Sequence, residues 1–215
     1  MARPTPLLLF AKAPIPGRVK TRLQTDCSAE QAAEIAHLLL EASLHQACSH
    51  WPGEVLVSTW LDIDHPVLLR LCERFGVKLV EQCNGSLGDK MQDAFESYGL
   101  PMAIMGCDAP HVTQATLISM HKLLQQGKSA IAPSLDGGYY LIGLSEMLPS
   151  IFCDMPWGTS EVLSLTRERA IQAGFELKEL ATLQDIDEWQ DLVSELHLLP
   201  TIQRYLKRQN LLGAG

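Results

Sequence analysis

Short apolar runs alternate along this chain with longer segments in which apolar residues recur every three or four positions. The short runs predict buried strands, and the longer segments predict amphipathic helices. We predict strands near residues 7–10, 54–60, 77–80, 102–105, 129–132, 139–143 and 175–180, and helices near 28–48, 66–75, 87–98, 113–126, 160–173, 186–196 and 200–210. The alternation predicts an α/β fold of three layers (α/β/α), with helices covering both faces of a mostly parallel sheet. We expect residues 1–215 to form a single domain.

Local signals predict several of these boundaries. Ser28 and Gln31 have the spacing of a capping box at the start of the first helix. Gly76 stands where the C-cap of the second helix is expected, since glycine adopts the left-handed conformation readily. Thr113 is the better placed N-cap for the helix near residues 113–126.

The composition and the net charge argue against several classes of function. The formal net charge is −8, with 47% hydrophobic and 20% charged residues. These values are ordinary for a globular protein and argue against general affinity for nucleic acids or anionic membranes. The first apolar run is too short for a membrane span or a signal peptide. The six cysteines show neither C-x-x-C pairs nor zinc-site spacing, which favours reduced thiols and a cytoplasmic location.

The loop after the first predicted strand, within residues 10–23, is rich in cations, prolines and glycine. It carries Lys12, Arg18, Lys20 and Arg22 in a chain that is otherwise acidic. A strand followed by such a loop and a helix is typical of phosphate binding, although a solvated loop would have the same composition. A Walker P-loop is excluded, because Val19 stands where that pattern requires glycine before the lysine.

Two further candidates follow later strands. Gly85 and Gly88 flank the start of a predicted helix, where small residues let the backbone approach a ligand, or simply make a turn. Asp108 comes directly after the buried strand near residues 102–105. Its carboxylate is placed to hold a divalent cation such as Mg²⁺ or Mn²⁺, or alternatively to cap the next helix.

The far half of the chain adds a glycine-rich turn and more carboxylates. Asp136 precedes Gly137 and Gly138 between two predicted strands, so it can accept hydrogen bonds from sugar hydroxyls where little side-chain bulk stands in the way, unless this is only a tight connection. Trp157 and the segment 185–187 each precede a predicted helix. The aspartates of the second segment either cap that helix or place a second carboxylate near the metal.

Taken together, these motifs resemble one family. They are Lys12-x-Pro14-x-x-Gly17-x-x-Lys20-Thr21-Arg22-Leu23, Gly85-x-Leu87-Gly88, Gly106-x-Asp108-x-Pro110, Asp136-Gly137-Gly138-Tyr139-x-Leu141-Ile142-Gly143 and Trp157-x-Thr159. The set is similar to the DUF2064 family of glycosyltransferase-A-type proteins. These proteins are also described as radical-SAM- or selenodomain-associated transferases and are linked to arsenosugar biosynthesis.

The resemblance implies a nucleotide-diphospho-sugar transferase fold and a sugar transfer from a nucleotide sugar to a small-molecule acceptor. By position, Lys12, Gly17, Lys20 and Arg22 would bind the nucleotide, and Asp108 would bind a divalent cation. Glycosyltransferases of this fold often carry Asp-x-Asp, whereas Gly106 occupies the first position here. Asp108 and Lys20 would stabilise the leaving diphosphate, and Asp136 would orient the sugar or act as a base. Further ligand-binding positions are expected at Gly85, Gly88, Gly137, Gly138, Trp157 and Thr159.

Two alternatives remain open at this point. Lys20-Thr21-Arg22-Leu23 and Asp185-Ile186-Asp187 also resemble nucleotidyltransferases of the same superfold, such as phospholactate guanylyltransferases and sugar-acid cytidylyltransferases. In that case Asp108 and Asp187 would hold Mg²⁺ for phosphoryl transfer from an NTP. The third possibility is a non-catalytic nucleotide-binding protein, which the glycine at position 106 favours.

Overall fold

The computed structural model describes residues 5–212, so the ends of the expected 1–215 unit lie outside the described residues. Within this range strands and helices alternate as the pattern predicts. The strands are β1 Leu7–Ala11, β2 Val55–Thr59, β3 Lys78–Glu81, β4 Met102–Gly106, β5 Ser129–Pro133, β6 Tyr139–Leu144 and β7 Leu177–Glu179. The α-helices are α1 Ala29–His50, α2 Pro66–Phe75, α3 Leu87–Tyr98, α4 Gln114–Gln125, α5 Val162–Gln172, α6 Trp189–Glu195 and α7 Pro200–Arg208.

The boundaries that rest on local chemistry are confirmed. Ser28 accepts a hydrogen bond from the backbone of Gln31, and the Gln31 side chain accepts one from the Ser28 backbone, which completes the capping box of α1. Gly76 closes α2 with φ 66°, in the left-handed region. Thr113 caps α4 by accepting from the Thr116 backbone.

The strands form one sheet in the order β3-β2-β1-β4-β6-β5-β7. Strand β6 runs antiparallel to its neighbours β4 and β5, and the other neighbouring strands pair in parallel. Alternate residues of β1 face opposite sides, as a strand dictates. Leu7 and Leu9 pack with residues of α1, α2 and α4, while Leu8 packs with residues of α3 and α5. The predicted α/β class, with a mostly parallel sheet between two layers of helices, is therefore confirmed.

Two predicted helix starts are wrong by a few residues. Helix α5 begins at Val162 rather than at residue 160, and α6 begins at Trp189 rather than at residue 186. The segment before α6 instead continues along the sheet edge, where Leu183 bridges Ser134 and the Ile186 N–H donates to the Asp108 carbonyl. The capping box of α6 uses Glu188 and Asp191, so the aspartates of segment 185–187 do not cap this helix.

One edge of the sheet gathers the candidate loops. Because β1, β2, β3 and β4 are parallel, the loops that leave their carboxyl ends meet at the same edge. Strand β6 is antiparallel, so the turn between β5 and β6 reaches that edge as well. Within residues 5–212 none of the helices has the length and apolar character that crossing a bilayer requires.

Candidate active site

A cleft of about 290 Å³ opens at this edge of the sheet. One part of its wall is acidic, and the rest is mainly apolar or aromatic. The acidic part consists of Asp108, Asp136, Asp185 and Asp187, and the remaining lining residues include Phe10, Leu87, Met91, Ile104, Gly106, Gly138, Tyr139, Ile142, Trp157, Thr159 and Val162. Of the sequence-predicted positions, Asp108, Asp136, Gly138, Trp157, Thr159 and Asp187 thus lie in one cleft.

Lys20 belongs to the loop within residues 10–23, called the basic loop below, and contacts the acidic part of the cleft wall. Its side chain is only 8% exposed, and its Nζ lies 2.6 Å from Asp108 Oδ1 and 2.9 Å from Asp187 Oδ1. It also donates to the Ile186 carbonyl. Burial acts to lower the pKa of Lys20, but the negative charges of Asp108 and Asp187 outweigh it, and the pKa is raised. Lys20 is therefore a fixed cation that holds together three segments distant in sequence.

The backbone of Lys20 is as unusual as its side chain. Its φ of 45° and ψ of 44° lie in the left-handed region, which a residue with a Cβ adopts only at a cost. Gly17, at φ 78°, makes a second left-handed turn in the same loop, and open space surrounds it. The loop thus folds back sharply, which directs the lysine inward and leaves Gly17 at the surface.

Asp108 and Asp187 keep oxygen atoms available to a ligand. Their side chains are 53% and 39% exposed, and each uses Oδ1 for Lys20. Arg22 approaches the other oxygen of Asp187 at 3.8 Å. Since Thr113 caps the next helix, Asp108 has no capping role there.

The donor set fits a divalent cation of the Mg²⁺ or Mn²⁺ kind, which one or two protein carboxylates commonly hold together with water and substrate phosphates. Asp108 and Asp187 supply two such carboxylates. Among residues 5–212, no three His, Cys, Asp or Glu side chains are gathered closely enough to enclose a metal unaided. A cation at this position would take its remaining oxygen ligands from water or from the substrate.

Asp136 is held in a fixed orientation within the turn between β5 and β6. Its Oδ1 accepts from the Ser134 hydroxyl at 2.5 Å and from the Gly138 backbone at 2.8 Å. Gly137 has φ 91°, and a Cβ there would stand 2.3 Å from the Ser160 carbonyl oxygen. Gly137 is thus required by close packing, whereas Gly138 borders the cleft.

Asp185 also lines the cleft, although only Asp187 of segment 185–187 was predicted as a metal ligand. It is 9% exposed, and its Oδ1 has no hydrogen-bond partner among the described residues. Burial, followed by the negative charge of Asp136, raises the pKa of Asp185 to about 7. The available signal was the Asp-x-Asp spacing, because residues two apart in an extended segment share a face.

Trp157 and Tyr139 form the aromatic part of the wall. Their rings meet edge to face, with centroids 6.4 Å apart. Trp157 packs against the core beneath α3 and α5 and also borders the cleft, and its predicted ligand contact stays a prediction. Thr159 donates to the Pro156 carbonyl at 2.8 Å, which stabilises the turn that presents Trp157.

The remaining predicted positions lie outside the cleft lining. They are Lys12, Gly17, Lys20, Arg22, Gly85, Gly88 and Gly137. Gly88 has a packing reason, since a Cβ there would lie 2.4 Å from the Phe152 carbonyl oxygen. Gly85, at φ 128°, precedes the capping box of α3 formed by Ser86 and Asp89. Their predicted ligand contacts stay predictions.

Known proteins give this geometry a context. A bacterial family described as "Uncharacterized protein conserved in bacteria (DUF2064)" matches residues 30–159, more than half of the chain. A Desulfovibrio desulfuricans G20 protein, provisionally described as a nucleotide-diphospho-sugar transferase, is 25% identical with a TM-score of 0.82. The alignment covers 97% of this chain and 96% of that one.

Two more distant proteins share parts of this likeness. A 2-phospho-L-lactate guanylyltransferase of Methanocaldococcus infernus is 29% identical over 80 residues, and the match spans only 37% of each protein. The manganese complex of Rv0371c from Mycobacterium tuberculosis H37Rv has a TM-score of 0.53 at 18% identity, covering 93% of this chain and 100% of that one. This second likeness shows the fold alone. Together the sequence match and the shared nucleotide-diphospho-sugar transferase fold establish that the chain belongs to the DUF2064 family.

Proposed function

We propose that the protein is a glycosyltransferase that moves a sugar from a nucleotide-diphosphate donor to a hydroxyl group of a small-molecule acceptor. The observation that carries this choice is the charge of the cleft. Four aspartates line it, and no lysine or arginine is among its described lining residues; Lys20 pairs with Asp108 and Asp187 from behind the wall and leaves Asp136 and Asp185 without a cation. A sugar or acceptor hydroxyl can donate hydrogen bonds to carboxylates, whereas a phosphorylated acceptor would be repelled by them.

The donor's diphosphate belongs where the basic loop of residues 10–23 meets the cleft, beside Asp108 and Asp187. Lys20 holds a fixed positive charge there, and Arg22 and Lys12 follow on the same loop. Asp108 and Asp187 would hold a divalent cation jointly with the diphosphate, and that cation would neutralise charge on the leaving group. Lys20, already in place between both carboxylates, would limit how far they must move when the nucleotide binds.

Asp136 is our candidate for the group that faces the acceptor. Cleavage of the sugar–diphosphate bond creates an oxocarbenium-like sugar, which a nearby carboxylate stabilises. The hydrogen bonds from Ser134 and Gly138 fix one oxygen of Asp136. The other oxygen would take the proton from the acceptor hydroxyl, so Asp136 acts as the base.

The second candidate is nucleotidyl transfer from an NTP. The guanylyltransferase relative favours it, although that match covers 37% of each protein. Lys20, Asp108 and Asp187 would serve a triphosphate as well as a diphosphate. What disfavours it is the lack of a cation on the described wall that would receive a phosphorylated acceptor.

A thermal-shift panel separates the two candidates. UDP-, GDP- and ADP-sugars are compared with CTP, GTP and ATP, each with Mn²⁺ or Mg²⁺. A ligand at a hundred times its dissociation constant stabilises the protein by about 2.7 kcal/mol, or about 5–10 °C for a chain of this size. We expect stabilisation by one class of nucleotide sugar. Stabilisation by NTPs alone would support the second candidate and reject the first.

Asp136→Asn tests the proposed base within the same experiment. It should keep the stabilisation by nucleotide sugar, because the donor's phosphates lie elsewhere, and should lose turnover by at least roughly a hundredfold. Asp154→Asn is the matched control, since Asp154 is exposed and outside the cleft lining. Full turnover in Asp136→Asn would remove Asp136 from the mechanism.

A further inference from the structure

Trp60 is a large aromatic side chain that the fold exposes and yet holds in place. It directly follows β2 and is 43% exposed. Its Nε1 donates to Asn84 Oδ1 at 3.1 Å, and the Lys90 ammonium lies 3.8 Å from the ring centroid. These two contacts fix the plane of the ring without burying it in the core. An exposed, oriented aromatic face is a stacking platform.

Two unpaired cations stand beside this ring. Ala11 of β1 pairs with Thr59 of β2, which puts Lys12 and Trp60 next to each other at the sheet edge. Burial lowers the pKa of Lys90, and the positive charge of Lys12 also acts to lower it, so the two ammonium groups are close enough to repel. Neither forms an ion pair with a carboxylate of residues 5–212. Two neighbouring ammonium groups without a carboxylate partner are suited to bind an anionic group of a ligand.

The spacing of the sheet relates this platform to the cleft. Strands β2, β1 and β4 are consecutive neighbours, and they end in Trp60, Lys12 and the segment leading to Asp108. With strands about 4.8 Å apart, Trp60 and Asp108 are separated by roughly 10 Å along the edge. Along this edge the aromatic ring comes first, then the cations, and then the carboxylates proposed for the metal. A nucleoside diphosphate that lies along the edge would place its base at the ring and its phosphates between the cations and the metal.

We propose that the base of the nucleotide stacks on the face of Trp60 opposite Lys90, with Lys12 directed toward the ribose-phosphate part and Lys90 holding the ring from its other face. This rests on the proposed function only in requiring a nucleotide substrate. Stacking accepts any base, since every base has a π face. Trp60 therefore contributes affinity for the nucleoside as a class, and the choice among bases must come from hydrogen bonds at the ring edge.

The test compares ligands with and without a base. The full-length protein and its Trp60→Leu variant are titrated calorimetrically with UDP, GDP, ADP, CDP and inorganic pyrophosphate, each with Mn²⁺. Trp60→Leu should weaken the best nucleoside diphosphate by about 5- to 100-fold, and should change pyrophosphate affinity by less than about twofold. Trp60→Phe, which keeps an aromatic face, should recover most of the affinity. Leu69→Ala, at a similarly exposed apolar residue on α2, should change neither affinity.

Three results would overturn the assignment. They are unchanged nucleoside diphosphate affinity in Trp60→Leu, an equal loss for pyrophosphate, and a wild-type protein that binds no nucleoside diphosphate better than pyrophosphate. If Trp60→Leu does not fold, Trp60→Gln, which also lacks an aromatic face, replaces it in the same comparison, and the same results for it would overturn the assignment. This test measures binding and no transfer reaction. The stacking proposal can therefore hold if the protein is not a glycosyltransferase, and the glycosyltransferase proposal can hold if Trp60 does not bind the base.

Discussion

Removing the cation between the two acidic segments is the sharpest perturbation of this fold. Lys20→Met keeps most of the apolar stem and deletes the ammonium group that contacts Asp108, Asp187 and the Ile186 carbonyl. Breaking a fully buried ion pair costs about 3–5 kcal/mol, and breaking a surface pair costs about 0–1 kcal/mol. Lys20 is 8% exposed, but its partners are 53% and 39% exposed and can be rehydrated. We therefore expect a loss of about 1–3 kcal/mol in the free energy of unfolding.

The pH dependence of this loss identifies its cause. The pKa of Lys20 is raised above its ordinary value of 10.5, so the folded state binds this proton more tightly than the unfolded state. The stabilisation is therefore complete below pH 10.5 and is lost as the pH rises through the folded-state pKa. The difference between wild type and Lys20→Met should be constant from about pH 6 to 9 and should shrink above about pH 10.5.

Urea unfolding followed by circular dichroism measures this difference, and thermal unfolding should show a midpoint lower by about 2–10 °C. Lys78→Met is the matched control, because Lys78 pairs with Glu54 at 3.0 Å while its side chain is 76% exposed. It should cost less than about 1 kcal/mol. A loss in Lys20→Met no larger than that of the control, or one that persists undiminished above pH 11, would show that the ion pairs of Lys20 do not stabilise the fold.

Three further changes test the metal and packing assignments. Asp108→Asn should abolish the gain in nucleotide affinity that Mn²⁺ gives the wild type, and EDTA should abolish the same gain in the wild type. An undiminished Mn²⁺ effect in Asp108→Asn would show that Asp108 is not a metal ligand. Gly106→Asp should fit, since its Cβ would meet only the Tyr140 carbonyl oxygen at 3.9 Å, and should strengthen Mn²⁺ binding in calorimetry; weaker binding would contradict the site. Gly88→Ala should lower the unfolding free energy by about 1–3 kcal/mol in urea, because its Cβ would lie 2.4 Å from the Phe152 carbonyl oxygen; an unchanged urea midpoint would argue against close packing there.

Features encoded locally could be predicted from the sequence. The capping box at Ser28, the N-cap at Thr113 and the glycine that ends α2 each depend on residues within one turn of helix. The interactions that determine them involve only residues close in sequence, so the sequence pattern is sufficient to predict them. The start of α6 failed for the opposite reason. A helical pattern from residue 186 was overridden by the hydrogen bond from the Ile186 N–H to the distant Asp108 carbonyl.

For the parts of the site that depend on contacts between distant segments, the residues could be predicted from the sequence but their contacts could not. Lys20, Asp108 and Asp187 were each selected by residue type and position, yet nothing local shows that Lys20 is buried between the other two. The antiparallel position of β6 between β4 and β5 has no local signal either. The exposure of Trp60 and the unpaired buried oxygen of Asp185 likewise become visible only in three dimensions, so the sequence assigned neither residue a role of its own.

The identity of the phosphorus-containing product distinguishes sugar transfer from nucleotidyl transfer. Phosphorus NMR follows the protein with Mn²⁺, the best-stabilising nucleotide sugar and a panel of hydroxyl acceptors, and in parallel with the NTPs and phosphorylated acceptors. We expect that nucleoside diphosphate accumulates together with a glycosylated acceptor, and that Asp136→Asn forms neither. Pyrophosphate released from an NTP, with a nucleotide joined to the acceptor, would contradict it.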